Sequence, residues 1–341
     1  MPETTFWTDT PVCVLGGSGF LGSHLARLLL DRRARVRTLS LPPPLAWEGV
    51  DALTGDFRDA AAVRAATDGV RVVFLAAGPV GVGRSYSRTT AAHADGLRVV
   101  LDVLPRETRL VLTSSVVAVG GSRTGEVLGE ESPFSLDDLK VGYVRAKRAA
   151  ELEALAADRD VVVVNPGYLF GPDDPGPSVM GAFCRRFWRG HVPFAPPGGI
   201  NCVDVRDAAA GHLLAAEHGK SGRRYILGGE NLTFAELVAR LARAARLRPR
   251  WMPRSPRALF AGLALWNEGL SRLSGKEPFP SLEHVRMNRL FWFHTSARAA
   301  TELGYAARPF DDTLADAYAW HAGRSRATPR GFNRWWLRPA A

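Results

Sequence analysis

Residues 11–41 read PVCVLGGSGFLGSHLARLLLDRRARVRTLSL, and this stretch decides the fold. PVCVL (11–15) is a short β-rich run that ends in glycines, GFLGSHLARLLLDRR has helical length and composition, and RVRTLSL (35–41) returns as a second strand-like run. A strand, a glycine turn, a helix and a second strand make one βαβ unit. In Gly16-Gly17-Ser18-Gly19-Phe20-Leu21-Gly22 the glycines let the chain turn tightly. They also let a pyrophosphate approach backbone N–H groups at a helix N-terminus, where the dipole favours negative charge. A lone glycine triplet says little; the strand before it, the helix after it and the second strand supply the context.

The alternation continues outward. VRVVFLAAG (70–78), TRLVLTSS (108–115) and DVVVVNPG (160–167) are continuous apolar runs, as expected of strands covered on both faces by helices. The expected class is α/β, a Rossmann-type doubly wound parallel sheet with a smaller C-terminal substrate lobe. After about residue 170 the pattern breaks at PDDPGP (172–177) and PFAPPGG (193–199). Then come AAAGHLLAAEHG, a strand RRYILGG and the helix signal NLTFAELVARLARAARL, in which Thr233 and Glu236 form a capping-box pattern. The expected division is a dinucleotide-binding domain at 1–170 and a substrate lobe at 171–324 with segments returning to the first sheet. A basic aromatic tail follows at 325–341.

With 341 residues, 46% hydrophobic and 23% charged, the chain buries a large core and is neither disordered nor collagen-like. Three widely spaced cysteines, Cys13, Cys184 and Cys202, give no disulfide framework and no Cys-x-x-Cys metal pair, which favours a reducing compartment. The N-terminal segment does not read as a signal peptide, and the longest later apolar stretch, Ala258 to Trp266, is too short to span a bilayer. A cytoplasmic location is expected. The formal charge of +10 comes mostly from arginines scattered through every segment, concentrated only around RLRPRWMPRSPR and in RSRATPRGFNRWWLRPAA. Those two stretches suit an anionic substrate, an acidic membrane surface or RNA, or simply a solvated basic surface.

The end of strand 2 separates NAD from NADP, since an acid there holds the ribose 2′-hydroxyl and an arginine accommodates a 2′-phosphate. The chain has Leu39, Ser40 and Leu41, then three prolines. Without a carboxylate the main repulsion against a phosphate is gone, which tilts the expectation toward NADP. Gly55-Asp56-Phe57 follows a third predicted strand and puts a carboxylate where it can accept from an adenine amino group or cap the next helix.

Tyr143 and Lys147 stand four apart in GYVRAKRAAELEAL and share one helical face. An ammonium beside a phenol favours the phenolate and lowers a pKa that starts near 10, which makes tyrosine a usable acid/base. Lysine at that spacing can also bond a nicotinamide ribose. Ser114 and Ser115 lie at the C-terminal end of a predicted strand, the edge where open α/β sheets bind ligands, and a hydroxyl there can hold a substrate oxygen.

GGSGFLG, GDFRD, FLAAG, LTSSVVAVG, GYVRAK and NPGYLFGP, in that order and spacing, resemble the extended short-chain dehydrogenase/reductase family, also called NAD-dependent epimerases/dehydratases. The likeness covers nearly the whole chain. Its C-terminal part looks most like hopanoid-associated sugar epimerases, dihydroflavonol reductases and 3β-hydroxysteroid dehydrogenases. The resemblance implies catalysis by Ser115, which matches the family serine better than Ser114, with Tyr143 as acid/base and Lys147 as its partner. It implies a cofactor site of Gly16, Gly19, Phe20, Leu21, Gly22, Ser40, Asp56, Phe57, Ala76, Ala77, Gly78, Tyr143, Lys147, Pro166 and Gly167, and no metal. It also implies a homodimer built on the helices carrying Asp95 to Leu104 and Tyr143 to Leu155.

Two departures stand out: His93 where the family often has asparagine, and the strand-2 end without its usual acid or arginine. His93 reads as an extra acid/base or as a packed histidine with one satisfied hydrogen bond. Asp204 and Asp207 could touch substrate, though Asp207, just before an alanine run, reads first as an N-cap. His191, His212 and His218 have no partners at metal-ligand spacing.

Selectivity falls to the second lobe and to the loops 80–90, 120–138 and 172–194. SPRALFAGLALWNEGLSRL offers an apolar stretch for a greasy substrate, or for core or a subunit contact. Arg185, Arg186 and Arg189 are available for a second pyrophosphate. The leading expectation is an NAD(P)-dependent oxidoreductase that moves hydride to or from a secondary alcohol or ketone of a bulky metabolite, isoprenoid, steroid-like or sugar-linked. The alternatives are a sugar epimerase with retained NAD, and a non-catalytic dinucleotide sensor or RNA-binding module. No specific nucleic acid is expected as a partner; peripheral membrane contact through the basic tail is.

Overall fold

The computed structural model describes residues 6–79, 91–176, 178–192, 194–249, 257–274, 281–324 and 337–339. Seven strands form one parallel sheet: β1 (Pro11–Leu15), β2 (Arg35–Ser40), β3 (Val50–Thr54), β4 (Val72–Leu75), β5 (Arg109–Thr113), β6 (Val161–Pro166) and β9 (Arg224–Leu227). Their spatial order is β3-β2-β1-β4-β5-β6-β9. The chain therefore runs outward from β1 to β3 and then returns to lay β4 on the other side of β1. That reversal opens a crevice at the C-terminal ends of β1 and β4, the place where such sheets bind ligands.

Burial explains the strand sequences. Val161 to Val164 in β6 and Val72 to Leu75 in β4 are all buried, because helices cover both faces of the sheet. On one face Leu21, Leu25 and Leu29 of the helix Phe20–Asp31 pack with Val12, Val14 and Phe74 and with Leu213 of the helix Val205–His218. On the other, Leu97 and Val100 of the helix Gly96–Val103 and Ala150 and Ala154 of the helix Gly142–Ala156 pack with Cys13, Leu15, Val73 and Val163.

A second, smaller sheet is built around β8 (Gly199–Asp204). It pairs antiparallel with β10 (Glu230–Thr233), and parallel with β12 (Phe291–Trp292) at its start and β7 (Tyr168–Phe170) at its end. The capping box at Thr233 and Glu236 forms as the sequence reads. The loop 120–138 is tied to β12, with Ser122 and Phe291 exchanging backbone hydrogen bonds at 2.8 Å. Part of the tail is strand: β13 (Leu337–Pro339) pairs antiparallel with β11 (Leu247–Pro249), while residues 325–336 and the loop 80–90 lie outside the described residues.

One expectation is corrected here. Asp207 is not the N-cap of the helix Val205–His218; that helix starts at Asp204, whose side chain accepts from the Arg206 N–H at 2.7 Å. Asp207 lies within the first turn and pairs with Arg308, at 2.8 Å. The chain enters this helix straight from β8, so the first carboxylate, not the one nearest the alanines, meets the free amides.

Candidate active site

The glycine loop leaves β1 at the crevice. Gly16 has φ +96°, and a Cβ there would lie 2.7 Å from the Ala77 nitrogen at the end of β4. At Gly22 a Cβ would lie 2.0 Å from the Gly16 carbonyl, so the helix can pass over the turn only without a side chain. The helix Phe20–Asp31 then begins at Gly19 with no side-chain cap and no acid in its first turn, so its positive end is left for an anion. These features fit a dinucleotide pyrophosphate. Ser40, at the end of β2, accepts from the Ser18 N–H at 2.9 Å and pins the loop to the neighbouring strand.

The other sequence-predicted residues collect along the same sheet edge. Asp56 and Phe57 follow β3; Asp56 is held by Arg58 through both carboxylate oxygens, which keeps its carboxyl below the usual range. Asp59, not Asp56, caps the next helix. Phe57 packs against Gly96, where a Cβ would meet its ring at 2.1 Å. Ala76, Ala77 and Gly78 follow β4, and Pro166 and Gly167 end β6, with the Gly167 N–H bonded to the Leu227 carbonyl at 3.1 Å.

Ser114 and Ser115 follow β5 and face different partners. Ser115 caps the short turn Val116–Val119 and faces the Tyr143 phenol, whereas the Ser114 hydroxyl donates to the buried Glu151 carboxylate. Tyr143, Lys147 and Glu151 sit at successive turns of one face of the helix Gly142–Ala156. The start of that helix is clamped from the C-terminal part of the chain: the Gly142 N–H donates to Glu283 Oε1 and Arg286 donates to the Lys140 carbonyl, both at 2.8 Å.

The electrostatics differ from the sequence expectation. Burial pushes the Tyr143 phenol up to about 12, opposed by the nearby Ser115 hydroxyl. Burial also lowers Lys147 to about 8, with Glu151 working against the shift. Lys147 Nζ donates to the Thr113 carbonyl at 3.0 Å. The lysine therefore does not produce a low-pKa phenol in the chain alone; desolvation of both groups dominates.

His93 lies in a π-type turn at Ala91–Asp95, its ring 6.2 Å from that of Tyr143 and stacked so closely on Gly78 that a Cβ there would collide at 2.4 Å. Its Nε2 bonds the Pro79 carbonyl at 3.0 Å, and burial with the nearby Lys147 charge lowers its pKa to about 3. It is neutral at physiological pH, a packed histidine with a satisfied hydrogen bond. A cavity of about 10 Å³, room for about one water, separates His93 from Lys147, Thr113 and Glu151.

Sequence reading missed the network beneath the site. Glu151 is 1% exposed; its Oε2 accepts from Asn165 Nδ2 at 2.6 Å as well as from Ser114, and Arg224 of β9 lies 3.0 Å from Oε1. Asn165 Nδ2 also donates to the Ser115 carbonyl at 3.0 Å. The position of Glu151, four residues after Lys147, was the available signal.

Arg185 and Arg186 fall in the last turn of the helix Val179–Trp188, and Asp204 is tied to Arg206. His212 is buried between the Ala208 carbonyl and the Thr113 hydroxyl. No described helix is long and apolar enough to cross a membrane.

Residues 12–228 match the pattern of the NAD dependent epimerase/dehydratase family. The chain is 32% identical to a putative dihydroflavonol 4-reductase of Synechocystis sp., over 93% of this chain and 97% of that protein. It is 31% identical to sterol demethylase protein B of Methylococcus capsulatus, over 91% and 98%. Among solved structures, a nucleoside-diphosphate-sugar epimerase of Pseudomonas aeruginosa superposes with a TM-score of 0.74 at 24% identity, covering 93% of this chain and 99% of that one, a likeness of fold.

Proposed function

The chain belongs to the NAD dependent epimerase/dehydratase family, the extended short-chain dehydrogenase/reductases, and is an NAD(P)-dependent enzyme; from that premise we propose that it reduces a ketone, or oxidises the corresponding secondary alcohol, on a bulky metabolite. The observation that carries this reading is the convergence of Ser115, at the C-terminal end of β5, with the buried Tyr143 phenol, which shares one helical face with the buried Lys147. When bound, the nicotinamide supplies or accepts the hydride. Gly16, Gly19, Phe20, Leu21 and Gly22 would hold the pyrophosphate, with Ser40, Asp56, Phe57, Ala76, Ala77, Gly78, Pro166 and Gly167 along its length.

The chain's own residues do the rest. Ser115 and Tyr143 hold the substrate oxygen. Tyr143, protonated at neutral pH, donates its proton to the oxygen as it gains negative charge, and Lys147 stabilises the phenolate left behind. Residues 171–324, with the helix Val205–His218 and β9 returning to the first sheet, form the substrate lobe in this reading. The relatives reported above carry names that refer to a dihydroflavonol and to a sterol, which supports a bulky polycyclic substrate. The strand-2 end lacks a carboxylate, which favours NADP. A homodimer through the helices Gly96–Val103 and Gly142–Ala156, already joined by the Arg98–Glu153 pair at 2.6 Å, completes the proposal.

Tyr143→Phe tests it. Turnover should fall by roughly 10²–10⁴, the contribution of general acid/base catalysis, with dinucleotide affinity nearly unchanged. Near-normal turnover would remove the assignment. Mass spectrometry of small molecules released on denaturation separates this reading from epimerisation: an emptied protein that binds NADPH reversibly supports a reductase, and NAD retained through dialysis supports an epimerase.

A further inference from the structure

The helix Arg257–Ser274 is amphipathic in the reverse of the usual sense. Gly262, Leu263, Leu265, Trp266, Gly269 and Leu270 are exposed, and their spacing of one, three, four, seven and eight residues makes a single stripe along one face. Leu265 is 59% and Trp266 67% exposed. The face turned to the protein is small or polar: Ala264 is fully buried, and half-buried Glu268 accepts from the Leu282 N–H at 2.9 Å, fixing the helix to the segment Leu282–Met287. Glycines at 262 and 269 have open space where a Cβ would stand, so nothing among the described residues covers the stripe there.

The surrounding sequence carries the complementary charge. Arg246, Arg248, Arg250, Arg254 and Arg257 lead into the helix, Arg272 and Lys276 close it, and Glu268, which faces inward, is the only acid from 246 to 276. We propose that this helix lies flat on an anionic lipid surface, with Leu263, Leu265, Trp266 and Leu270 in the headgroup–acyl boundary, the basic flanking sequence supplying the attraction to anionic headgroups. Apolar insertion and basic flanks are the two ingredients of interfacial helices, and tryptophan concentrates at that depth.

The charge argues against a second copy as the occupant, since two such arginine-rich segments would repel. Area argues the same way: four side chains expose on the order of a few hundred Å², well short of the roughly 800 Å² per partner of a stable interface. The helix does not span the bilayer. This inference stands apart from the catalytic reading, because no residue of the stripe is among the proposed catalytic or cofactor-binding residues.

The test is co-sedimentation of the full chain with vesicles of phosphatidylcholine alone or mixed with phosphatidylglycerol, at low and high salt, alongside light scattering. Binding is expected to the anionic vesicles, to weaken severalfold at high salt through screening, and to drop at least tenfold in the double variant Leu265→Ser/Trp266→Ser. The variant's melting temperature should match the wild type, since both side chains are exposed. Three results would overturn the proposal: no binding by the wild type; equal binding by the variant, which assigns the attraction to basic segments alone; or no vesicle binding together with a dimer that the variant dissociates, which gives the face to a second copy.

Discussion

Replacing Glu151 by leucine removes the acceptor for two buried donors, Ser114 Oγ and Asn165 Nδ2, and leaves Arg224 without its buried partner. Breaking a buried pair from one side costs about 3–5 kcal/mol, and the orphaned donors bring the cost to the upper end. At about 2.1 cal/mol/K per residue, unfolding this 341-residue chain has an entropy of about 0.7 kcal/mol/K, so the melting temperature should fall by about 4–7 °C. Glu151→Gln keeps the shape and one oxygen acceptor but loses the ion pair, and should cost about 1–2 kcal/mol, or about 1–3 °C. Asn165 bonds the Ser115 carbonyl, so release of Asn165 should also loosen the proposed Ser115–Tyr143 pair. Turnover of Glu151→Gln should then fall about tenfold while dinucleotide affinity stays within a factor of about three. Differential scanning calorimetry and steady-state kinetics read the two effects. A leucine variant that melts within about 1 °C of wild type would refute the reasoning, because it would mean that the buried carboxylate carries no net favourable contact.

Two further outcomes follow from the electrostatics. Burial lowers His212 to about 4, against about 6.5 in the unfolded chain, so from about pH 6.5 down to about 4 the unfolded state binds the extra proton and stability falls as pH falls. The full slope for one such group is about 1.4 kcal/mol per pH unit; the buried carboxyls of Glu151 and Asp174, pushed up, act in the opposite direction, so the readout is the difference between wild type and His212→Gln, whose curve should be flatter by about 1 kcal/mol per unit. Parallel pH–melting curves would show that His212 does not titrate in this window. In the proposed reducing direction, turnover should be level at neutral pH and fall above about pH 8 as Lys147 loses its proton. A profile that stays flat a full unit higher would detach Lys147 from proton supply.

Local sequence carried the parts of the fold that local chemistry decides. The glycine loop, the all-buried strands β4 and β6, the strand β5 with its buried centre and the capping box at Thr233 are each set by a few neighbouring residues, and each formed where it was read. What it could not separate were choices made by distant partners. Ser114 and Ser115 are adjacent and chemically identical; they diverge only because Glu151 and Tyr143, from one helix, approach them from different sides. Glu151 looked like one acid among several on a helix, since Asn165 of β6 and Arg224 of β9 join it only after the sheet is assembled. The cap expected at Asp207 and found at Asp204 has the same origin: either carboxylate can cap a helix, and the exit from β8 selects the first.

The helix Arg257–Ser274 shows the limit most sharply, because hydrophobic periodicity gives a stripe but not the direction in which the stripe points. Leucines and a tryptophan at helical spacing read equally well as core, substrate wall or outer face. Direction comes from what the opposite face can do: Glu268 reaches the Leu282 amide and Ala264 lets the backbone approach closely, so the polar and small side is the one that docks. The same logic orders the proposed active site. Burial that lifts the Tyr143 phenol also lowers Lys147, leaving a neutral acid beside a cation that can still be charged at neutral pH. A site arranged this way has a proton to give at neutral pH, which is the state that the proposed reduction needs.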